Sequence, residues 1–174
     1  MQRRYSSNAC SLSFFTFNFK ITYFKLDFAN KFIGGGVLGS GCVQEEIRFI
    51  ICPELIVSLL FSEKMEPNEC LIIKGAEQYS SYSGYGDNFK FKSDYQDKTQ
   101  FDNWNRKDVE ILAIDALSFR FPKVQFTEAK VIRELNKAYC GFYSSKGTHE
   151  CSALASGNWG CGVFNGDRQL KCNI

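Results

Sequence analysis

Two adjacent acidic residues, Glu45 and Glu46, follow three consecutive glycines, Gly34, Gly35 and Gly36, after a short spacer. The stretch 26–47 reads LDFANKFIGGGVLGSGCVQEEI. Three neighbouring residues without Cβ atoms free the backbone for positive φ and for close approach of a ligand. Gly39 and Gly41 extend that freedom to Gln44. Backbone N–H groups exposed in such a loop, beside a helix start, make an anion or diphosphate site. Asp27 and Asn30 stand on its upstream edge. The chemistry this could do is glycosidic cleavage, with phosphates held by backbone and a carboxyl group moving the proton. Adjacent helical side chains diverge by about 100°, so Glu45 and Glu46 are expected to divide binding and proton transfer between them. Read from the residues alone, an acidic pair also suits a helix start, and Asp27 and Asn30 also suit a turn.

A second glycine-rich stretch runs Gly157, Asn158, Trp159, Gly160, Cys161, Gly162, between a strand near 151–156 and a helix start at 167–171. A glycine turn leading into a helix is a diphosphate-binding layout. It has neither the GK[ST] of a P-loop nor the GxGxxG of a dinucleotide turn, which argues against ATP and NAD. Tyr85 stands between two glycines in SGYG. It could swing over a ligand with an aromatic face or be an exposed loop aromatic. Tyr79 and Tyr82 read as packing residues.

The elements that must position these groups follow from periodicity. Residues 13–28 alternate, with Phe15, Phe17, Phe19, Ile21 and Tyr23 on one face, predicting one or two strands. Residues 44–51 read as a helix, and Pro53 opens a second one with Leu55, Ile56, Leu59 and Leu60 as its buried stripe. The continuous apolar run in 69–74 predicts a central strand. Residues 79–88 read as loop, 88–104 as a polar surface excursion and 109–117 as a buried strand. Thr127 caps a helix whose inner face is Val131, Ile132, Leu135 and Ala138. Helices alternating with apolar strands predict an α/β layered fold.

A length of 174 residues and 44% hydrophobic content suit one domain with a core of its own. A net charge of +2 without a basic run gives no footprint for nucleic acid. The eight cysteines form no CxxC pair, and His149 is the sole histidine, so no zinc site is expected. Scattered cysteines without a secretory signal fit free thiols in a reducing compartment. No apolar run is long enough to span a bilayer, and Thr16, Asn18 and Lys20 interrupt the one segment that imitates a signal peptide. An intracellular protein is expected.

The string GGGVLGSGCVQEE resembles the signature of the poly(ADP-ribose) glycohydrolase family. The likeness continues in DFAN, ELIVSLLF, NECLIIKGAEQYSSYSGY, ILAIDAL, RELNKAYCGF and SGNWGCGVF, in that order, over roughly 26–171. The resemblance implies a macrodomain-like mixed sheet flanked by helices, and hydrolysis of ribose–ribose O-glycosidic bonds to release ADP-ribose. It implies Glu46 as acid/base, Glu45 holding a ribose hydroxyl, and Asp27 and Asn30 in the catalytic pocket. Gln44 would contact substrate, Tyr85 would cover the ADP-ribose, and the two glycine stretches, 34–36 and 157–162, would bind it. Poly(ADP-ribose) or ADP-ribose and poly(ADP-ribosyl)ated proteins are the implied partners, in the nucleus or cytoplasm, in the DNA damage response. No cofactor, metal, membrane or direct DNA contact is implied. Residues 1–24 do not resemble the family and carry no carboxylate for the ribose. Past Asp167, family members continue with further strands and helices. The expectation is therefore a divergent segment 1–24 and a partial catalytic macrodomain 25–174, incomplete at its C-terminus, with ADP-ribose binding without turnover, or an inactive fragment, as the alternatives.

Overall fold

The computed structural model describes residues 23–143 and 153–174; the aromatic alternation before Tyr23, together with His149, Cys10 and Cys151, lies outside them. The order is β1 (Tyr23–Ala29), α1 (Gln44–Ile51), a 3-10 segment (Pro53–Leu60), β2 (Leu71–Lys74), β3 (Ser80–Ser83), β4 (Lys90–Asp94), β5 (Val109–Asp115), α2 (Glu128–Phe142), β6 (Ala153–Ala155) and α3 (Arg168–Cys172). A mixed sheet of order β2-β5-β1-β6 forms the centre, with β5, β1 and β6 parallel and β2 antiparallel to β5. A separate hairpin pairs β3 with β4.

Alternation along the parallel strands divides the core in two. Phe24, Leu26 and Phe28 face one way and pack with Leu112, Ile114, Ala138 and Trp159. Ala29, Ile111 and Ala113 face the other way and pack with Phe49, Ile51 and Leu55. By the same period of two, Asp27 points to the α1 side of the sheet. β1 and β5 end in register at Ala29 and Asp115, and the loops leaving those C-terminal ends are where ligands of parallel sheets bind.

Four sequence readings change. The 69–74 strand lies at an edge of the described sheet, not at its centre: Leu71 and Ile73 pack inward while Ile72 is 55% exposed. The helix opened by Pro53 is 3-10, and three residues per turn carry Leu60 away from the side that buries Leu55. Residues 79–88 are not all loop, because Ser80–Ser83 pairs with Lys90–Asp94 inside the expected excursion. The inner face of α2 is Glu134, Lys137 and Ala138, whereas Ile132 and Leu135 are exposed and Val131 is half-buried. Charge pairing chose that face. Asp115, at the end of β5, takes Arg133 at 2.5 Å and Lys137 at 2.7 Å, and Lys137 also donates to the carbonyls of Glu66 (2.6 Å) and Glu69 (2.5 Å). Thr127 precedes this helix, but its hydroxyl donates to the Val124 carbonyl rather than accepting from the first turn.

Candidate active site

The site is assembled first by the turn between β1 and α1. Glu46, third in α1, reaches back to the amide of Val43 (3.0 Å), half of a capping box whose reciprocal bond valine has no oxygen to make. Its other oxygen accepts from Gly36 N at 2.9 Å. Glu45 accepts from Asn30 N (2.8 Å) and Gly34 N (2.6 Å). The Gln44 amide accepts from Phe28 N (2.8 Å) and donates to the Leu26 carbonyl (2.9 Å), replacing a strand neighbour along the last residues of β1. Gly34 and Gly36 thus give their amides to the protein's own carboxylates, and Gly34, Gly35 and Gly36 do not line the cavity. The two glutamates do not diverge as a regular helix suggested. A Cβ at Gly35 would lie 2.6 Å from Glu46 Oε1 and 2.7 Å from Glu45 Oε2, so both carboxylates converge on that glycine.

Asp27 completes an acidic cluster from beneath. It is wholly buried, does not line the cavity, and neither carboxylate oxygen has a hydrogen-bond partner. Burial pushes its pKa up to about 7, with Arg48 opposing and Glu46 adding. Burial also pushes Glu45 up to about 8, helped by the charge of Asp27 and resisted by the Asn30 and Gly34 amides. Carboxylates this close and this dry hold protons near neutrality, and those protons belong to the group rather than to one residue.

Above them opens a cavity of about 720 Å3, the size range of small-molecule and nucleotide sites. Asn30, Gln44, Glu45 and Glu46 line one wall, with Phe28 and Ala29 from the end of β1 and Ala116 just past β5. Asn158, Trp159, Gly160, Cys161 and Gly162 line the opposite wall, joined by Val163, Phe164 and Arg168. Gly157 lies outside the cavity, against Phe28. Trp159 is anchored rather than free: its indole N–H donates to the Ile114 carbonyl at 3.0 Å, and the Lys171 ammonium sits 3.9 Å from the centre of its ring. Lys171 in turn pairs with Glu134, and Asp167 caps α3 by accepting from Leu170 N at 2.8 Å. Tyr85 and Asp87 form a third side, with Tyr85 57% exposed. Gly86 N donates to the Cys42 carbonyl at 3.0 Å, which ties that loop to the acidic wall.

The structure therefore brings Asn30, Gln44, Glu45, Glu46, Tyr85 and residues 158–162 around one space and puts Asp27 under its floor. Phe28, Asp87, Val163, Phe164 and Arg168 also line it, and no spacing in the sequence singles them out. Cys42, Cys52, Cys70, Cys140, Cys161 and Cys172 are free thiols. Among the described residues, no group of three histidine, cysteine or acidic side chains is placed to hold a metal ion, and no helix is long and apolar enough to cross a membrane.

A family model described as Poly (ADP-ribose) glycohydrolase (PARG), Macro domain fold, matches residues 12–174. Poly(ADP-ribose) glycohydrolase 1 of Arabidopsis thaliana is 36% identical over 217 aligned residues, which take in 86% of this chain and 39% of the relative. Poly(ADP-ribose) glycohydrolase 1 of Caenorhabditis elegans is 44% identical over 158 residues, taking in 84% of this chain and 20% of the relative. Poly(ADP-ribose) glycohydrolase 2 of the same worm is 40% identical, with 84% and 33% covered. The chain thus spans well under half the length of these curated relatives.

Proposed function

The chain belongs to the poly(ADP-ribose) glycohydrolase family, and from that premise we propose that it hydrolyses ribose–ribose O-glycosidic bonds of poly(ADP-ribose), releasing ADP-ribose. The observation that carries this reading is the pair Glu45 and Glu46 at one wall of a nucleotide-sized cavity, with Asp27 buried beneath them and a glycine-rich turn facing them. Glu46 protonates the departing ribose oxygen, an oxocarbenium-like centre develops, and water completes the cleavage with Glu46 as base. Two amide bonds, from Gly36 and Val43, hold Glu46 in one orientation for that transfer. Glu45 positions the ribose, and Asp27 acts from below by sharing a proton with Glu45. The Asn158–Gly162 turn receives the diphosphate and Tyr85 covers the base. Poly(ADP-ribosyl)ated proteins are the natural substrates in this reading, and free thiols fit a nuclear or cytoplasmic setting.

Glu46→Gln keeps the shape of the side chain and removes the acid. It should lower ADP-ribose release by about 10²–10⁴-fold while calorimetry shows ADP-ribose binding retained. Turnover within about tenfold of the parent would exclude Glu46 as proton donor. A parent that binds ADP-ribose but never cleaves the polymer would make the chain a binding module.

A further inference from the structure

A ligand with a diphosphate brings negative charge into a cavity whose titratable lining is mostly acidic: Glu45, Glu46 and Asp87. The first glycine loop cannot offset that charge, because the N–H groups of Gly34 and Gly36 already serve Glu45 and Glu46. The cations behind the opposite wall are committed too. Arg133 and Lys137 pair with Asp115, and Lys171 pairs with Glu134 beneath the Trp159 ring. Arg168 differs from all of these. Among the described residues it is the one cationic side chain lining the cavity, it is exposed, and no described carboxylate pairs with it. Its backbone is fixed from the preceding residue: Asp167 N donates to the buried Gln125 amide oxygen at 2.6 Å, and the Asp167 carboxylate accepts from Leu170 N.

We propose that Arg168 is the cationic clamp for the ligand's diphosphate, closing on it against the Asn158–Phe164 wall; the diphosphate itself rests on the reading of the ligand given above. A guanidinium presents a planar fork of donors that matches two phosphate oxygens at once. In this position it also sets the polarity of binding, drawing the phosphates to the wall away from the glutamates and leaving the ribose for the acid.

The test is calorimetric titration of the whole chain with ADP-ribose, ADP and adenosine, for the parent, Arg168→Gln and Arg168→Lys. In Arg168→Gln the affinities for ADP-ribose and ADP are expected to fall about fivefold to fiftyfold at low salt, as for loss of a charged hydrogen bond. Adenosine binding should not change, Arg168→Lys should recover part of the loss, and added salt should narrow the gap. Because Arg168 is exposed and unpaired among the described residues, both variants should melt as the parent does. ADP-ribose affinity in Arg168→Gln within about twofold of the parent overturns the clamp and leaves the ADP-ribose reading standing. An equal loss for adenosine overturns it as well, since that would be a collapse of the wall. A parent that binds ADP through Arg168 but not ADP-ribose keeps the clamp and sinks the ligand assignment. A parent that binds neither overturns both.

Discussion

Replacing Gly35 with alanine perturbs the acidic wall through a single methyl group. Gly35 has φ of +49°, and its added Cβ would lie 2.6 Å from Glu46 Oε1 and 2.7 Å from Glu45 Oε2. The left-handed backbone alone costs a residue with a Cβ about 1–2 kcal/mol. Flexible carboxylates on a surface would simply step aside, but these two are 3% and 6% exposed. Moving them strains the bonds to Asn30 N and Gly36 N, each worth about 1.5–3 kcal/mol when the acceptor is charged. The total is about 4–8 kcal/mol if both bonds are lost, a large part of a domain's net stability of about 5–15 kcal/mol. Gly39→Ala in the same loop is the control: its Cβ would meet only the Gly36 carbonyl, at 3.6 Å, without a left-handed φ, and should cost under about 0.5 kcal/mol. Urea unfolding gives the stability difference, and polymer hydrolysis at equal folded concentration gives the effect on the acid. Gly35→Ala within about 1 kcal/mol of the parent, with unchanged turnover, would refute the claim that this glycine is the gap into which both carboxylates fit.

Two further outcomes follow from the same geometry. Tyr85→Ala should weaken ADP-ribose binding by about 1–3 kcal/mol if the ring stacks on the base, and equal affinities by calorimetry would return Tyr85 to the role of an exposed loop aromatic. The folded pKa of Asp27, about 7, lies above its ordinary 3.8, and that of Glu45, about 8, above 4.5. The folded state therefore binds protons that the unfolded state releases, so this stability is complete below about pH 4 and lost as pH rises through about 7–8. Asp27→Asn, neutral at every pH, should match the parent near pH 3 and be more stable near pH 9; thermal melts at both values decide it, and a parent whose stability rises over that range would contradict the shifts.

What could be read beforehand was what depends on local order. The helix at 44–51 announces itself by Gln44 and two acids after a glycine-rich turn, and the 109–117 strand by an apolar run interrupted only at Glu110 and Asp115; the helix stands where expected, and the strand does so up to Asp115. The edge position of β2 could not be read, because an apolar tetrad looks the same whether one neighbouring strand or two lie beside it. Nor could the inner face of α2, since apolar periodicity says nothing about Asp115 waiting at the end of β5 to take Arg133 and Lys137. The glycine triplet was visible as a loop, but the direction of its amides was not: whether they face a ligand or Glu45 and Glu46 depends on how α1 docks on β1. Arg168 escaped notice for a related reason, because its significance lies in which other cations are already paired.

The two walls of the cavity also differ in how far the chain must travel to make them. The bonds that set the acidic wall span 16, 15, 11, 10 and 3 residues. Those that seat the opposite wall, through Trp159, Asn165 and Lys171, span 45, 46 and 37. Closing a longer loop costs more chain entropy before any contact repays it, and regions open in cooperative pieces of unequal stability. The hydrogen bonds within the acidic wall are therefore expected to close at a lower entropic cost than those that seat the opposite wall. In hydrogen exchange, the amides of Asn30, Gly34 and Gly36 are expected to exchange more slowly than those of residues 158–164, and equal protection would refute this division. The wall proposed to hold phosphate can then open without taking apart the acidic one.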